Sequence, residues 1–254
     1  MKDLVQSVDR ALSILELLAD YEEGLGTTEI GERLDLHKST VHRLLGTLIY
    51  KGYVEQLEDS KKYKTTYKLY ELGSRLLVKK DLLSVSKKYS KELMEEINEV
   101  VHLVVRDGIY SVYIDKVEAD NTIRMASTIG RRSTLYSTSV GKAMLAFMDP
   151  KEVEDIWKAS QIEKFTSYTI DNYDDFLEEL ERVRKLGYAE DNEENEMGVR
   201  CLGAPIFNLR GEVEGAISIS GPTIRVTKAK MKKIGPIVRK YADEISKELG
   251  YLED

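Results

Sequence analysis

The sequence predicts an α+β protein with two domains, the first of which is a winged helix-turn-helix. Residues 27–54 have the pattern of two short helices, of which the second is basic, and a short strand pair follows. Helical and strand patterns then alternate from residue 82 to the end, over a length greater than one winged helix needs. We place the domains at residues 1–68 and 82–254, joined by a stiff linker helix at 69–81.

Apolar residues predict the three helices of the first domain. Spacings of three and four residues predict an N-terminal helix whose inward face is Val5, Val8, Leu12, Leu15 and Ala19. Thr27 or Thr28 can cap the second helix, and the third helix has an apolar face that must contact a core. The residues of that apolar face are Val41, Leu44, Leu45 and Leu48.

The opposite face of the third helix carries short hydroxyls, imidazole and cationic groups, and residues 37–54 include no acid. Such a face suits a DNA major groove, although a helical hairpin with a solvated charged face is the alternative for this helix pair alone. The residues of the helix pair that we expect to contact DNA are Thr28, Lys38, Ser39, Thr40, His42, Arg43 and Thr47.

The wing strengthens the DNA-binding interpretation. Residues 53–57 and 63–65 read as two strands around a polar turn, and Lys61, Lys62 and Lys64 lie where phosphates would be met. Between positions 37 and 68 the chain has seven Lys or Arg residues but only three acidic residues. Helix, helix and basic wing is the order of a winged helix-turn-helix.

The distribution of charge agrees with two domains of different roles. The chain has a net charge of −7, but residues 1–80 are neutral, so the acidic excess lies in the remainder. A locally basic surface on a neutral domain can bind DNA. The chain shows no long apolar span and no signal peptide, and its single cysteine fits a reducing cytoplasm. We expect no metal and no other cofactor, because three scattered histidines lack ligand spacing.

The second domain reads as an antiparallel sheet covered by helices. Helices are predicted near 82–98, 140–148, 150–158, 173–186 and 227–249. Strands are predicted at 100–106, 111–117, 122–127, 199–207 and 213–220, with hairpin turns at 107–108 and 208–211. The acid-rich segment 171–196 is predicted to be a solvated helix followed by a loop.

Four features of this domain point to one ligand pocket. Residues 137–142 form a hydroxyl-rich turn that opens a helix, where free backbone N–H groups can bind an anion. Ser218 and Ser220 share a strand face, Cys201 lies on the partner strand and Asp191 lies just before it. The set suits a small hydroxylated acid. A capped helix, solvated serines, a structural cysteine and a loop acid are the structural alternatives.

An enzyme is the rival interpretation of the same residues. Lys142 could form a Schiff base with a keto acid, or Cys201 could act as a nucleophile. No barrel pattern surrounds Lys142, and the one histidine of the domain, His102, sits in an apolar strand as a core residue would. Trapping a keto acid on Lys142 with borohydride would discriminate. A DNA-binding protein without a ligand is the second rival.

The chain also resembles the isocitrate-lyase-regulator (IclR) family of bacterial transcription factors. SVDRALSILELL, STVHRLLGTL and YELGSRLL resemble its DNA-binding half. LYSTSVGKAMLA, GYAEDNEENEMGVRCLGAPIFN and GAISISGP resemble its effector-binding half. The resemblance implies a GAF-like ligand domain, dimers or tetramers on operator DNA, and small organic acids as effectors. The implied pocket residues are Met125, Ser139, Val140, Asp191, Cys201, Ser218 and Ser220.

Within that family, the chain looks most like the repressors of pectin and hexuronate breakdown. IRMASTIGRRSTLYSTSVGKA, YELGSRLL and GYAEDNEENEMGVRC carry this resemblance. Those repressors sense 2-keto-3-deoxygluconate, a keto acid with several hydroxyls. Ser139 stands where family pockets often have glycine, which favours a more hydroxylated ligand. The resemblance therefore implies a repressor, not an enzyme, that such an acid releases from operator DNA.

Overall fold

The chain divides into two compact units, residues 1–79 and residues 80–254, in a computed structural model. The structure describes residues 4–77, 82–122 and 125–251. The expected linker helix at 69–81 overlaps helix α4 (Lys68–Leu77), and residues 78–81 lie outside the described residues.

The N-terminal unit has the predicted order of three helices and a wing. Its elements are α1 (Gln6–Ala19), α2 (Thr27–Leu34), α3 (Lys38–Tyr50), β1 (Val54–Gln56), β2 (Tyr63–Thr65) and α4. Strands β1 and β2 pair antiparallel, with Val54 opposite Thr65. The predicted cap of α2 is wrong: Gly26 precedes the helix, and its N–H donates to Glu29 Oε2 at 2.7 Å. Glu29 thus supplies the carboxylate of a capping box.

The inward face of α1 is only partly the predicted one, because Leu15 packs against the core but Val5, Val8 and Leu12 are exposed. Ile14 and Leu18 are the buried residues of this helix and pack with Val41 and Leu45 of α3. The predicted core residues at the start of α1 are exposed, by 66% for Val5, 55% for Val8 and 54% for Leu12. Helix α1 carries apolar residues on two sides, and periodicity alone does not say which side packs.

The C-terminal unit is the predicted antiparallel sheet covered by helices. Its helices are α5 (Leu82–Ile97), α6 (Ser139–Leu145), α7 (Pro150–Ala159), α8 (Tyr173–Leu186) and α9 (Lys228–Glu248). Its strands are β3 (Val100–Asp107), β4 (Tyr110–Val117), β5 (Arg132–Thr134), β6 (Ala189–Asn192), β7 (Val199–Phe207) and β8 (Val213–Pro222). In the described residues they form one sheet in the order β5-β4-β3-β8-β7-β6, with every neighbouring pair antiparallel.

The two faces of the sheet have different neighbours. Val101, Leu202 and Ile219 lie opposite one another on β3, β7 and β8, and they pack with α5 and α9 in one core. Val104 and Ala216 belong to a second core, which joins the other face to α6, α7 and α8. Within the described ranges, no helix combines the length and apolar character needed to cross a membrane.

Two short strands differ from their prediction. Residues 125–128 have no regular structure, so the predicted strand at 122–127 is wrong there, and residues 123 and 124 lie outside the described residues. The third strand of the sheet in chain order is instead β5 (Arg132–Thr134), which the sequence did not predict because three residues are too few to show an alternating pattern. Strand β6 falls in a stretch predicted as loop, because three of its four residues carry acidic or amide side chains.

Candidate DNA-binding surface and ligand pocket

Helix α3 presents one polar stripe away from the core. Ser39, Arg43 and Tyr50 are all exposed, and their spacings of four and seven residues place them on the same side of the helix. Tyr50 is 85% exposed and adds a phenol that the sequence pattern did not reveal, because it ends an apolar run. Lys38 and His42 are also exposed, beside this stripe.

Three other predicted DNA-binding residues are placed differently. Thr28 is exposed on α2. Thr40 and Thr47 line a groove of about 530 Å³ between α3 and α1, which Arg43 also borders. The Thr47 hydroxyl donates to the backbone oxygen of Arg43 at 3.3 Å, so it already has a partner within its own helix.

The wing turn carries the predicted lysines. Lys61 is exposed and has a left-handed backbone, with φ of 58° at the tip of the turn. Lys62 is partly exposed beside it. Lys64 lies on β2, where its Nζ is 3.3 Å from Oε1 of Glu55 on the partner strand. The Glu55 carboxylate partly offsets the positive potential of Lys64.

A pocket of about 340 Å³ opens on the C-terminal unit. Its floor is the sheet face that also packs against α6, and it includes His102, Tyr113, Cys201 and Ser220. The wall on one side comes from residues 125–131, which we call the 125–131 segment, through Met125, Ser127 and Arg131. The wall on the other side comes from residues 193–198, the 193–198 segment, through Asn195, Glu196 and Gly198.

Lys116 fixes the 125–131 segment over the pocket. Its Nζ donates to the backbone oxygens of Met125 at 3.0 Å and Ser127 at 2.7 Å. The same segment is held at its other end, where the Gly130 N–H donates to the backbone oxygen of Tyr113 at 2.8 Å. Because each end is tied to β4, the wall is positioned although it belongs to no strand.

His102 is a buried polar group of the pocket floor. It is 2% exposed, and its Nε2 lies 2.6 Å from Oγ of Ser127, while its Nδ1 has no partner among the described residues. Burial, and after it the charges of Lys116 and Arg131, together lower the pKa of His102 to about 3. The interpretation as a satisfied core histidine is therefore incomplete, since one ring nitrogen is unpaired.

The seven implied pocket residues lie close together, but only some line the pocket. Met125, Cys201 and Ser220 are in its lining. Asp191, Cys201 and Ser220 lie directly opposite one another on β6, β7 and β8. Ser218 shares the face of Ser220, and it is buried opposite His102.

Ser139 and Val140 are buried at the start of α6, where β7 packs tightly against them. A Cβ on Gly203 would lie 2.9 Å from the backbone carbon of Ser139 and the nitrogen of Val140. Thr138 precedes the helix, and its side chain accepts from Gly141 N–H at 3.2 Å. The Gly141 N–H, one of the groups expected to bind an anion, is thus already hydrogen-bonded to the Thr138 side chain. The cation in the pocket wall, Arg131, was missed because two adjacent arginines in a loop carry no pattern.

Asp191 lies beside the pocket floor, opposite Cys201, and supports one wall of the pocket. Its Oδ1 accepts from the backbone N–H groups of Glu194 at 2.8 Å and Asn195 at 3.3 Å, which fixes the 193–198 segment. Burial raises the pKa of Asp191 to about 7. Burial and the neighbouring Asp191 likewise raise the pKa of Cys201 well above its usual value, so Cys201 remains a thiol and not a nucleophilic thiolate.

The buried Lys142 belongs to an ion-pair cluster. Its Nζ lies 2.6 Å and 2.7 Å from the two oxygens of Glu194, and 3.4 Å from Oε1 of Glu179. Burial lowers the pKa of Lys142, but the two carboxylates outweigh burial and raise it. A lysine held as a cation is a poor Schiff-base nucleophile. The acid-rich segment predicted as solvated therefore supplies one buried partner, Glu194, and one partly buried partner, Glu179.

Both parts of the chain match family models of known regulators. Residues 7–58 match the IclR helix-turn-helix domain, and residues 74–247 match the bacterial transcriptional regulator IclR C-terminal domain. The chain is 39% identical over 249 residues to the HTH-type transcriptional regulator KdgR of Escherichia coli (strain K12), across 98% of this chain and 94% of that protein. The transcriptional repressor IclR of that organism is 33% identical over 248 residues, across 97% and 90% respectively.

A solved structure shows the same fold throughout. The crystal structure of the Thermotoga maritima IclR matches with a TM-score of 0.83 at 36% identity, and the match covers 98% of this chain and 100% of that one. The relatives are transcriptional regulators, so the enzyme interpretation of Lys142 and Cys201 is excluded. With both domains matched in order over nearly its whole length, the chain belongs to the IclR family of bacterial transcriptional regulators.

Proposed function

We propose that this regulator is a repressor, acting in the bacterial cytoplasm, that a sugar-derived keto acid such as 2-keto-3-deoxygluconate releases from its operator. The observation that carries the proposal is the pocket itself, in which hydroxyls, a thiol, a buried imidazole and one guanidinium converge. Its volume of about 340 Å³ falls in the range of small-molecule sites. The resemblance of the chain to KdgR-type regulators supports the same ligand class.

The polar groups of the pocket match the chemistry of a hydroxylated keto acid. Arg131 offers a planar cation to a carboxylate, which charge-assisted hydrogen bonds would hold. Ser127 and Ser220 offer hydroxyls to the carbonyl and hydroxyl oxygens of the same molecule. Ser218 and Asp191, which lie beside the lining on the same sheet face, set the shape and polarity of the site.

DNA recognition in this proposal belongs to α3 and the wing. The stripe of Ser39, Arg43 and Tyr50 enters a major groove, where Arg43 reads guanine and the hydroxyls contact phosphate. Lys61 and Lys62 at the wing turn contact phosphates and carry no base information.

Two copies of the chain would bind one operator as a homodimer, or as a dimer of dimers. The exposed apolar residues Leu4, Val5, Val8 and Leu12, which we call the α1 stripe, support pairing of the N-terminal units. A two-fold dimer places two α3 helices in successive major grooves of a palindromic site. Release follows only if the acid binds the DNA-incompetent arrangement of the dimer more tightly than the DNA-bound one.

The proposal is tested by a mobility shift on the DNA upstream of the protein's own gene. We expect a specific complex that 2-keto-3-deoxygluconate dissociates and that equal concentrations of glucose leave intact. Ligand effects on the melting temperature of the protein, without DNA, form the independent readout. A specific complex that no sugar acid affects, with an unchanged melting temperature, would instead identify a DNA-binding protein without this effector.

A further inference from the structure

We infer that Arg131 and His102 form a two-point specificity site: Arg131 binds the carboxylate of the acid, and His102 hydrogen-bonds a hydroxyl farther along its carbon chain. The inference rests on the proposed function and names the part of the ligand that decides recognition. Neither residue belongs to the seven that the family resemblance implies, and both are in the lining of the pocket.

The unpaired nitrogen of His102 is the first observation. His102 lies in the middle of the sheet, opposite Lys116 on β4 and Ser218 on β8. Its Nε2 is satisfied by Ser127 Oγ at 2.6 Å, but Nδ1 is buried without a partner in the described part of the chain. Buried polar atoms nearly always have a partner, so this one calls for a group that enters the pocket.

The protonation state of His102 limits what that group can be. With its pKa lowered to about 3 by burial, the imidazole is neutral at physiological pH and presents one donor and one acceptor. If Ser127 donates to Nε2, Nδ1–H donates to the ligand, and in the other tautomer Nδ1 accepts. A hydroxyl satisfies either tautomer because it both donates and accepts. A carboxylate satisfies only one and gains no ion pair from a neutral ring.

Arg131 supplies the charge that His102 lacks. Its backbone is fixed, since Tyr113 N–H donates to the Arg131 oxygen at 3.1 Å. The next residue, Arg132, is paired with Asp107, whereas Arg131 has no ion pair among the described carboxylates. Glu196 is also in the pocket lining and opposes an anion, so the guanidinium is needed to make the site favourable for an acid.

Together the two residues separate affinity from selectivity. Every keto acid gains the charge-assisted bonds of Arg131, whether or not its chain carries hydroxyls. Beyond the keto acid head that Arg131 binds, only a chain that carries hydroxyls can also pair Nδ1 of His102. A buried site built to hydrogen-bond a hydroxyl discriminates strongly against an analogue that lacks it, because the site is then left unpaired.

Calorimetry on the full-length protein tests the inference with two acids of equal chain length. The probes are 2-keto-3-deoxygluconate and 2-ketohexanoate, which has the same six carbons and the same keto acid head but no hydroxyls. We expect the wild type to bind the hydroxylated acid at least about tenfold more tightly. This comparison needs no variant, so equal affinities in the wild type would by themselves overturn the inference.

Variants then test which residue binds the carboxylate and which residue binds the hydroxyl. Arg131→Gln should weaken both acids by about tenfold or more, and the matched control Arg132→Gln should weaken neither. His102→Asn keeps a polar atom near the Nδ1 position and should preserve the preference. His102→Gln keeps one near Nε2, beside Ser127, and should lose the preference while 2-ketohexanoate binds as before.

The outcomes separate this inference from the proposed function. If the wild type binds neither acid, the proposed effector class is wrong and the inference falls with it. If the wild type prefers the hydroxylated acid but His102→Gln retains the full preference, only the inference is overturned. A loss with Arg132→Gln as large as that with Arg131→Gln would remove Arg131 from the carboxylate site.

Discussion

Lys142 and Glu194 form an ion pair in the interior of the C-terminal unit, with Nζ 2.6 Å and 2.7 Å from the two carboxylate oxygens. Lys142 is 0% exposed, and Glu194 lies in the 193–198 segment, next to Asn195 and Glu196 of the pocket wall. The pair therefore ties α6 to one wall of the ligand pocket. Its role is to position that wall, which accounts for a buried lysine in a protein without catalysis.

We expect Lys142→Met to destabilise the C-terminal unit by about 3–5 kcal/mol, because Glu194 would remain buried without its cation, whereas Glu179 keeps its ion pair with Arg182. Urea unfolding at neutral pH measures the loss. Adding Glu194→Gln should recover part of it. Lys91→Met, which breaks an exposed pair with Glu95, is the matched control and should cost less than about 1 kcal/mol. Equal losses in the two lysine variants would contradict a structural role for the cluster.

The buried carboxyl of Asp191 should make stability depend on pH. Burial raises its folded-state pKa to about 7, above the ordinary value near 4 that it has in the unfolded chain. Between these values the folded protein holds a proton that the unfolded chain has lost, so stability falls as pH rises from about 4 to about 7.

Asp191→Asn should remove this pH-dependent loss of stability. The Asn side chain keeps an Oδ1 that can accept from Glu194 and Asn195 N–H, but it has no proton to lose. Thermal unfolding across that pH window, compared between wild type and variant, isolates the effect. Asp174→Asn, at an exposed position of α8, is the control. An identical pH profile for wild type and Asp191→Asn would show that the carboxyl does not titrate there.

Arg43→Ala should cost about 1–3 kcal/mol on the specific operator and much less on unrelated DNA. The reason is that Arg43 lies in the outward stripe of α3, from which a guanidinium can make a bidentate contact with guanine. Fluorescence anisotropy on both DNAs at one salt concentration gives the comparison. Equal losses on both would place Arg43 on phosphate or on the protein, alongside the groove that it borders with α1.

Replacing Lys61, Lys62 and Lys64 by Ala should weaken binding to all DNA sequences alike. The slope of log affinity against log salt should flatten by up to about 0.9 for each lost phosphate contact. Because Lys64 is already paired with Glu55, Lys64→Ala alone should change the slope less than Lys61→Ala. A slope that the triple variant leaves unaltered would remove the wing from the interface.

Charges on the α1 stripe should disrupt the proposed dimer. We expect Val8→Glu/Leu12→Glu to shift N-terminal pairing toward separate units and to weaken operator binding, since two buried carboxylates cannot be solvated in an apolar contact. Sedimentation velocity measures the assembly. Gln6→Glu/Ser7→Glu adds the same charge at the same end of α1, outside the stripe. An unchanged assembly in Val8→Glu/Leu12→Glu would exclude the stripe as the interface.

Sequence patterns predicted the bounds of helices and strands correctly where residues close in sequence are also close in space. The strand β2 and the helix α8 have the predicted bounds, because hydrophobic periodicity and turn residues act within a few positions. The same logic failed for α1, which has apolar residues at exposed Val8 and Leu12 as well as at buried Ile14 and Leu18. Packing against α3 decides between those two sides.

The sequence by itself determined the two-domain order, the winged helix-turn-helix and the shared strand face of Ser218 and Ser220, since these depend on spacing along the chain. Only the tertiary structure decided the partners of Lys142, because Glu194 is 52 residues away in sequence and the pairing depends on how α6 meets the 193–198 segment. The sequence could not predict the unpaired Nδ1 of His102 either. Burial and hydrogen-bond partners are properties of the packed sheet, and no spacing of residues encodes them.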